Sequence, residues 1–179
     1  MQPRIPRQSA GEQGDRRPDG ADADARFSAR LAPVVSGARR RAVRDGDPQI
    51  DTAHLLHSLL EYDPEARAVL GEGPRLARLL GYLVQRSIGY GLRWQSTVED
   101  SGAVPVVSGA AGFSPLAAAA MEDAGARAAR RGADEACGID LLAALVADPQ
   151  ARAVEVLGRA AIDARTVLTR VDSHFEPTS

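Results

Sequence analysis

Lysine is absent from this 179-residue chain, and all 22 of its basic residues are arginine. That excludes a Schiff-base lysine and a phosphate-loop lysine. There is one cysteine, Cys137, so no intramolecular disulfide forms, and the usage fits a reducing cytosol. Aromatic residues make up 4% of the chain against a hydrophobic content of 44%. Alanine and leucine must therefore fill the core, which favours closely packed helices over a sheet sandwich. No apolar run approaches the roughly 20 residues that span a bilayer, and the N-terminus lacks the apolar core of a secretion signal. A cytoplasmic, non-membrane protein is the expectation. The formal net charge is −2 and the pI about 5.9, which removes any bulk attraction to nucleic acid. Arg39-Arg40-Arg41 and Arg130-Arg131 then read as solvated helix faces, not as a recognition helix.

What the chain does have is a copy of itself. Residues 27–46 align without a gap on 113–132, an offset of 86. Phe-Ser opens each block, Arg41-Ala42 meets Arg127-Ala128, and Gly46 meets Gly132. The match resumes at Asp63-Pro64 against Asp148-Pro149, now at an offset of 85. A self-match at fixed offset defines the folding unit.

Residues 1–26 carry Pro3, Pro6, Pro18 and three glycines, with Ile5 as their one large apolar residue, and are expected to be a disordered tail. Ser28 reads as an N-cap with Phe27 before it, and Ser114-Pro115 repeats the arrangement after Phe113. Pro33 should kink the first helix or delay its start. A short helix follows in each copy, with Leu55, Leu56, Leu59 and Leu60 matching Leu141, Leu142, Leu145 and Val146. Four apolar side chains within six residues cover most of a helix, so these two helices should be the buried centres. Asp63-Pro64 and Asp148-Pro149 are expected to open third helices, and fourth helices follow at about 75–86 and 163–171. The expectation is an all-α domain of two tandem four-helix repeats, 27–88 and 113–174, packed with pseudo-twofold symmetry around an apolar seam. A glycine-rich linker at 89–112 joins them and carries Trp94, expected to pack back on a groove between the repeats.

The paired Phe-Ser helix starts and Ile50-Asp-Thr-Ala-His-Leu-Leu-His-Ser-Leu-Leu60 resemble the N-terminal domain of the Clp unfoldases. That family writes the second block as Ile-Gly-Thr-Glu-His and duplicates a four-helix unit. The resemblance runs from Phe27 to about Val171. It implies a domain that receives adaptor proteins and protein substrates ahead of ATPase rings, and in one branch binds phosphorylated arginine. Here the family's Glu is Ala53, and Ile139 in the second copy, so neither supplies the carboxylate that a guanidinium needs facing it. No Gly-x-x-x-x-Gly-Lys-[Ser/Thr] occurs, so the resemblance implies a receptor domain without its motor.

The expected function is a non-catalytic protein- or peptide-binding module, with Clp protease components or their adaptors and substrates as partners. It is expected to need no cofactor and no metal. Phe27 and Phe113 are expected to flank the binding groove with Thr52, His54 and Asp140, where helix starts offer free N–H groups to anionic or carbonyl ligands. The alternative is a small hydrolase or metal-dependent enzyme using Cys137 or the His54/His57 pair. Against it, zinc sites normally need three or four ligands, and Cys137 lies at a buried helix entry with no histidine assigned to its repeat's helices. The adjacent acids Glu99-Asp100 point to different faces or into solvent, poor geometry for acid–base work.

Overall fold

A computed structural model describes residues 29–87, 99 and 112–176. The expected tail, Phe27, Ser28, Trp94 and most of the 89–112 linker lie outside the described residues.

In the first repeat, helix α1 (Ala32–Asp45) is followed by α2 (Thr52–Tyr62), α3 (Pro64–Leu70) and α4 (Pro74–Ser87). The second contains α5 (Pro115–Arg130), α6 (Gly138–Ala147), α7 (Arg152–Arg159) and α8 (Ala164–Phe175). The first helices of the two repeats, α1 and α5, start differently. At α5, Ser114 Oγ accepts the Ala117 N–H at 3.1 Å and Pro115 takes the first turn. At α1 the N-cap is Leu31 rather than Ser28, with no side-chain cap. Pro33 has no N–H to close a helical bond and its ring would meet the carbonyl four residues back, so the helix cannot run through it from Ser28. The two ends agree. Gly46 and Gly132 both hold φ near +74°, the left-handed conformation that glycine adopts without strain. Beyond them, Asp47 N–H reaches Ala42 O at 3.0 Å and Ala133 N–H reaches Ala128 O at 2.9 Å.

The short leucine helices are the centre, as their composition requires. Every residue from Thr52 to Leu60 and from Gly138 to Val146 is buried. Around them the leucines, alanines and valines of all eight helices form a single core. The third helices break the repeat. Asp63 caps α3 by accepting the Ala66 N–H at 2.9 Å. Asp148-Pro149 does not open α7 as expected; Asp148 holds a turn through the Gln150 N–H at 2.7 Å, and α7 begins three residues later behind Ala151. The physical reason is at the seam, where the first N–H groups of α7 are taken by Glu99 of the connection and by Thr52 of the first repeat.

The halves are joined tightly. A Cβ on Gly138 would lie 1.9 Å from Asp63 Oδ2, so only glycine lets α6 start against the cap of α3. Arg170 of α8 donates to the Leu70 carbonyl at 3.0 Å and closes the C-terminal end of α3 from across the seam. A parallel bridge between Ile50 and Phe113 is the one β-type pairing among the described residues. The domain is all-α, two tandem four-helix repeats packed with pseudo-twofold symmetry. No described helix is long and apolar enough to cross a membrane.

Candidate functional site

The seam is not wholly apolar. At its middle, Glu99 is buried and accepts from both repeats. Its Oε2 takes the Thr52 N–H at 2.8 Å and the Ser114 hydroxyl at 2.9 Å. Its Oε1 takes the Arg152 N–H at 2.7 Å and the Thr52 hydroxyl. Thr52 Oγ1 in turn accepts the Ala153 N–H at 3.0 Å. One side chain thus serves the N-termini of α2 and α7 and the cap of α5, where the helix dipoles favour an acceptor. The expected free N–H at the start of α2 is therefore occupied by the chain itself. Sequence reasoning set Glu99 aside as half of a solvated acid pair. Its signal in the sequence was that Glu99-Asp100 are the two acidic residues of an otherwise glycine-rich connection.

Next to Glu99 lies a charged cluster. Asp51 caps α2 by accepting the His54 N–H at 2.9 Å, while its own N–H points to His54 Nδ1 at 3.1 Å. Asp51 Oδ2 also accepts from Arg86 and, at 2.7 Å, from Arg152. His54 Nε2 faces Asp47 Oδ2 at 3.1 Å and Asp45 Oδ2 at 3.5 Å. Burial alone would lower the pKa of His54, but the carboxyl groups of Asp45, Asp47 and Asp51 reverse that and raise it to about 10. Conversely, burial would raise Asp51, yet His54, Arg86 and Arg152 hold its carboxyl well below the usual range.

His54 and His57 do not act together. Among the described residues, the one group of three or more potential metal-ligating side chains includes His54 but not His57. His57 is nearly buried, and desolvation, aided by the Arg41 charge, lowers its pKa to about 4. Cys137 is buried at the N-cap of α6, and burial pushes its thiol pKa up, so it stays a protonated core residue.

The remaining expected site residues disperse. Phe113 is 7% exposed and belongs to the core. Asp140 is buried, accepts the Cys137 N–H at 2.9 Å and pairs with Arg131. Arg131 also lies 4.2 Å over the ring of Phe175. Among the described residues two surface grooves stand out. One, of about 300 Å³, runs between α5 and α6 and is lined by Leu116, Ala119, Ala120, Ala144 and the 148–151 turn, with Thr52 contributing. The other, about 250 Å³, lies beside Arg131, Asp140 and Phe175.

These features define a tandem-repeat helical domain with an alanine-floored groove beside a hydrogen-bonded seam. The fold matches that of the N-terminal domain of the caseinolytic protease associated chaperone ClpD from Arabidopsis thaliana. The two agree with a TM-score of 0.60 at 20% sequence identity, over 84% of this chain and 94% of that one. At that identity the likeness establishes the fold, and the chain is Clp N-domain-like. No protein-family model and no curated protein matches the sequence.

Proposed function

We propose that this domain is a non-catalytic module that binds protein segments, acting as an accessory, adaptor or decoy in Clp-dependent proteolysis in the cytoplasm. The repeats it uses are 27–88 and 113–174. The observation that carries this reading is the open groove between α5 and α6 on a Clp N-domain-like fold. Its floor is alanine, which leaves room for an incoming apolar side chain, and apolar clefts of this size suit short peptide anchors. Asp123 at its edge is already paired with Arg127 at 2.8 Å, which leaves Asp148 as the carboxyl group available to a basic flank of the peptide. Of the residues expected to receive the ligand, Thr52 adjoins this groove and Asp140 adjoins the second, while His54 and Phe113 serve from inside. The absent carboxylates at Ala53 and Ile139 support recognition without a preference for phosphoarginine.

The test is a peptide array probed with the wild type and with Ala119→Trp. Ala119 is exposed and lines the groove, so tryptophan fills it without entering the core. Wild type should bind a subset of peptides with apolar anchors, plain and arginine-phosphorylated alike. Ala119→Trp should lose at least about tenfold in affinity while keeping its helical circular dichroism. Equal binding by the variant, or no binding by the wild type, would overturn the proposal.

A further inference from the structure

We propose that Asp45, Asp47 and His54 form a binding site for a divalent transition-metal ion at the turn joining α1 to α2. The three ligand atoms lie within 4.8 Å of one another. His54 is 1% exposed, and its Nε2 has no hydrogen-bond partner even with Asp47 Oδ2 at 3.1 Å and Asp45 Oδ2 at 3.5 Å. Neither oxygen meets the geometry of a hydrogen bond with that nitrogen. A buried ring nitrogen left without a hydrogen bond beside two carboxylates can share an ion with them. Bonds of about 2.0–2.1 Å at tetrahedral angles set neighbouring ligand atoms about 3.4 Å apart. The two observed separations bracket that value.

A second observation comes from the duplication. At the offset of 86, Asp45 corresponds to Arg131 and His54 to Asp140. In the second repeat the Arg131 guanidinium reaches Asp140, so a cation belonging to the chain fills this place. In the first repeat the position of Arg131 carries a carboxylate instead, and a second carboxylate, Asp47, joins it. The place is a cation position in both halves: the Arg131 guanidinium fills it in the second, and in the first it holds either the Nε2 proton of His54 or an ion that displaces it.

The surroundings suit a metal. Asp51 Oδ1 stands 3.0 Å from His54 Nδ1, where it holds the Nδ1 proton and leaves the Nε2 lone pair for the ion. In the ion-free protein the ring carries a proton on each nitrogen, that of Nδ1 facing Asp51 Oδ1 and that of Nε2 facing Asp47 and Asp45. Binding displaces the Nε2 proton to solvent while Nδ1 keeps its own, with no change of oxidation state. Arg44 sits 3.5 Å from the other oxygen of Asp45, and Arg86 shares Asp47 Oδ2 at 3.1 Å while also holding Asp51. The Asp47 side chain is 18% exposed and provides the entry. Three protein ligands of one imidazole and two carboxylates, with water completing the shell, suit zinc or its neighbours better than magnesium or calcium.

Calorimetric titration of the EDTA-treated full chain with zinc chloride, and with cobalt chloride followed by visible absorption, tests this. One equivalent should bind, with proton release and a rise in melting temperature, and magnesium should produce neither. Asp45→Asn and Asp47→Asn should each weaken zinc at least about tenfold and remove the melting shift. Asp45→Asn leaves the Arg86–Asp51 pair in place, so its loss of binding is separable from loss of folding. Cys137→Ala and His174→Gln should bind as the wild type does. Absence of binding to the wild type overturns the site, as does zinc affinity that survives both asparagine substitutions or is lost in His174→Gln.

Discussion

His57 shows how a single side chain sets a pH limit on this domain. It stands on α2 among Arg41, Arg44, Asp45 and Glu61, and burial together with the Arg41 charge lowers its pKa from 6.5 to about 4. Between those two values the unfolded chain binds a proton that the folded chain refuses. Stability is therefore present above about pH 6.5 and is lost as the pH falls towards 4, with a slope of up to about 1.4 kcal/mol per pH unit. Urea midpoints measured on EDTA-treated protein from pH 4.5 to 7 should show that slope in the wild type and little of it in His57→Gln. An equal slope in the two would show that other groups govern the window. The sequence shows the histidine as half of the His54/His57 pair; its depressed pKa depends on Arg41 and Arg44 of the preceding helix standing close to it, which spacing along the chain does not show.

At the scale of elements, glycine separates packing from propensity. A Cβ at Gly37 on α1 would lie 2.2 Å from Ser58 Oγ and 2.7 Å from the Tyr62 ring on α2, while Gly125 on α5 has nothing within 4 Å. Ser58 is fixed there by donating to the Val34 carbonyl at 2.6 Å, so it cannot retreat without losing that bond. Gly37→Ala should destabilise by about 1–3 kcal/mol through overpacking, despite alanine's better helix propensity. Gly125→Ala should stabilise by up to about 1 kcal/mol, since only propensity changes. Denaturant melts of the pair read both signs directly, and a stabilised Gly37→Ala would mean that α1 and α2 sit farther apart. Element starts were less legible than element identities. The leucine helices, the glycine ends and the fourth helices came from local pattern, whereas α1 began late because of Pro33 and α7 because its N-terminus docks on Thr52 and Glu99. A capping aspartate and a proline describe a possible start, and tertiary partners choose among possible starts.

At the scale of the whole molecule, Glu99 clamps the two halves. Replacing it by alanine leaves the Thr52 N–H, the Arg152 N–H and the Ser114 hydroxyl without this buried acceptor. Glu99→Ala should cost about 2–4 kcal/mol, and Glu99→Gln, which keeps one acceptor oxygen, should cost less. Hydrogen exchange should locate the loss at residues 52–54 and 152–154, at both helix starts. Protection unchanged in both segments would show that the seam holds without the clamp.

The duplication, the all-helical architecture and the burial of the leucine helices were determined by the sequence alone, because repeat offset and apolar spacing are properties of neighbours along the chain. Only the tertiary structure decided that Glu99 fills the helix starts, that Phe113 turns inward, and that Asp45 and Asp47 meet His54 across a glycine turn. Each of those depends on groups brought together from distant positions or around a left-handed turn, and one-dimensional spacing carries no information about which donor meets which acceptor.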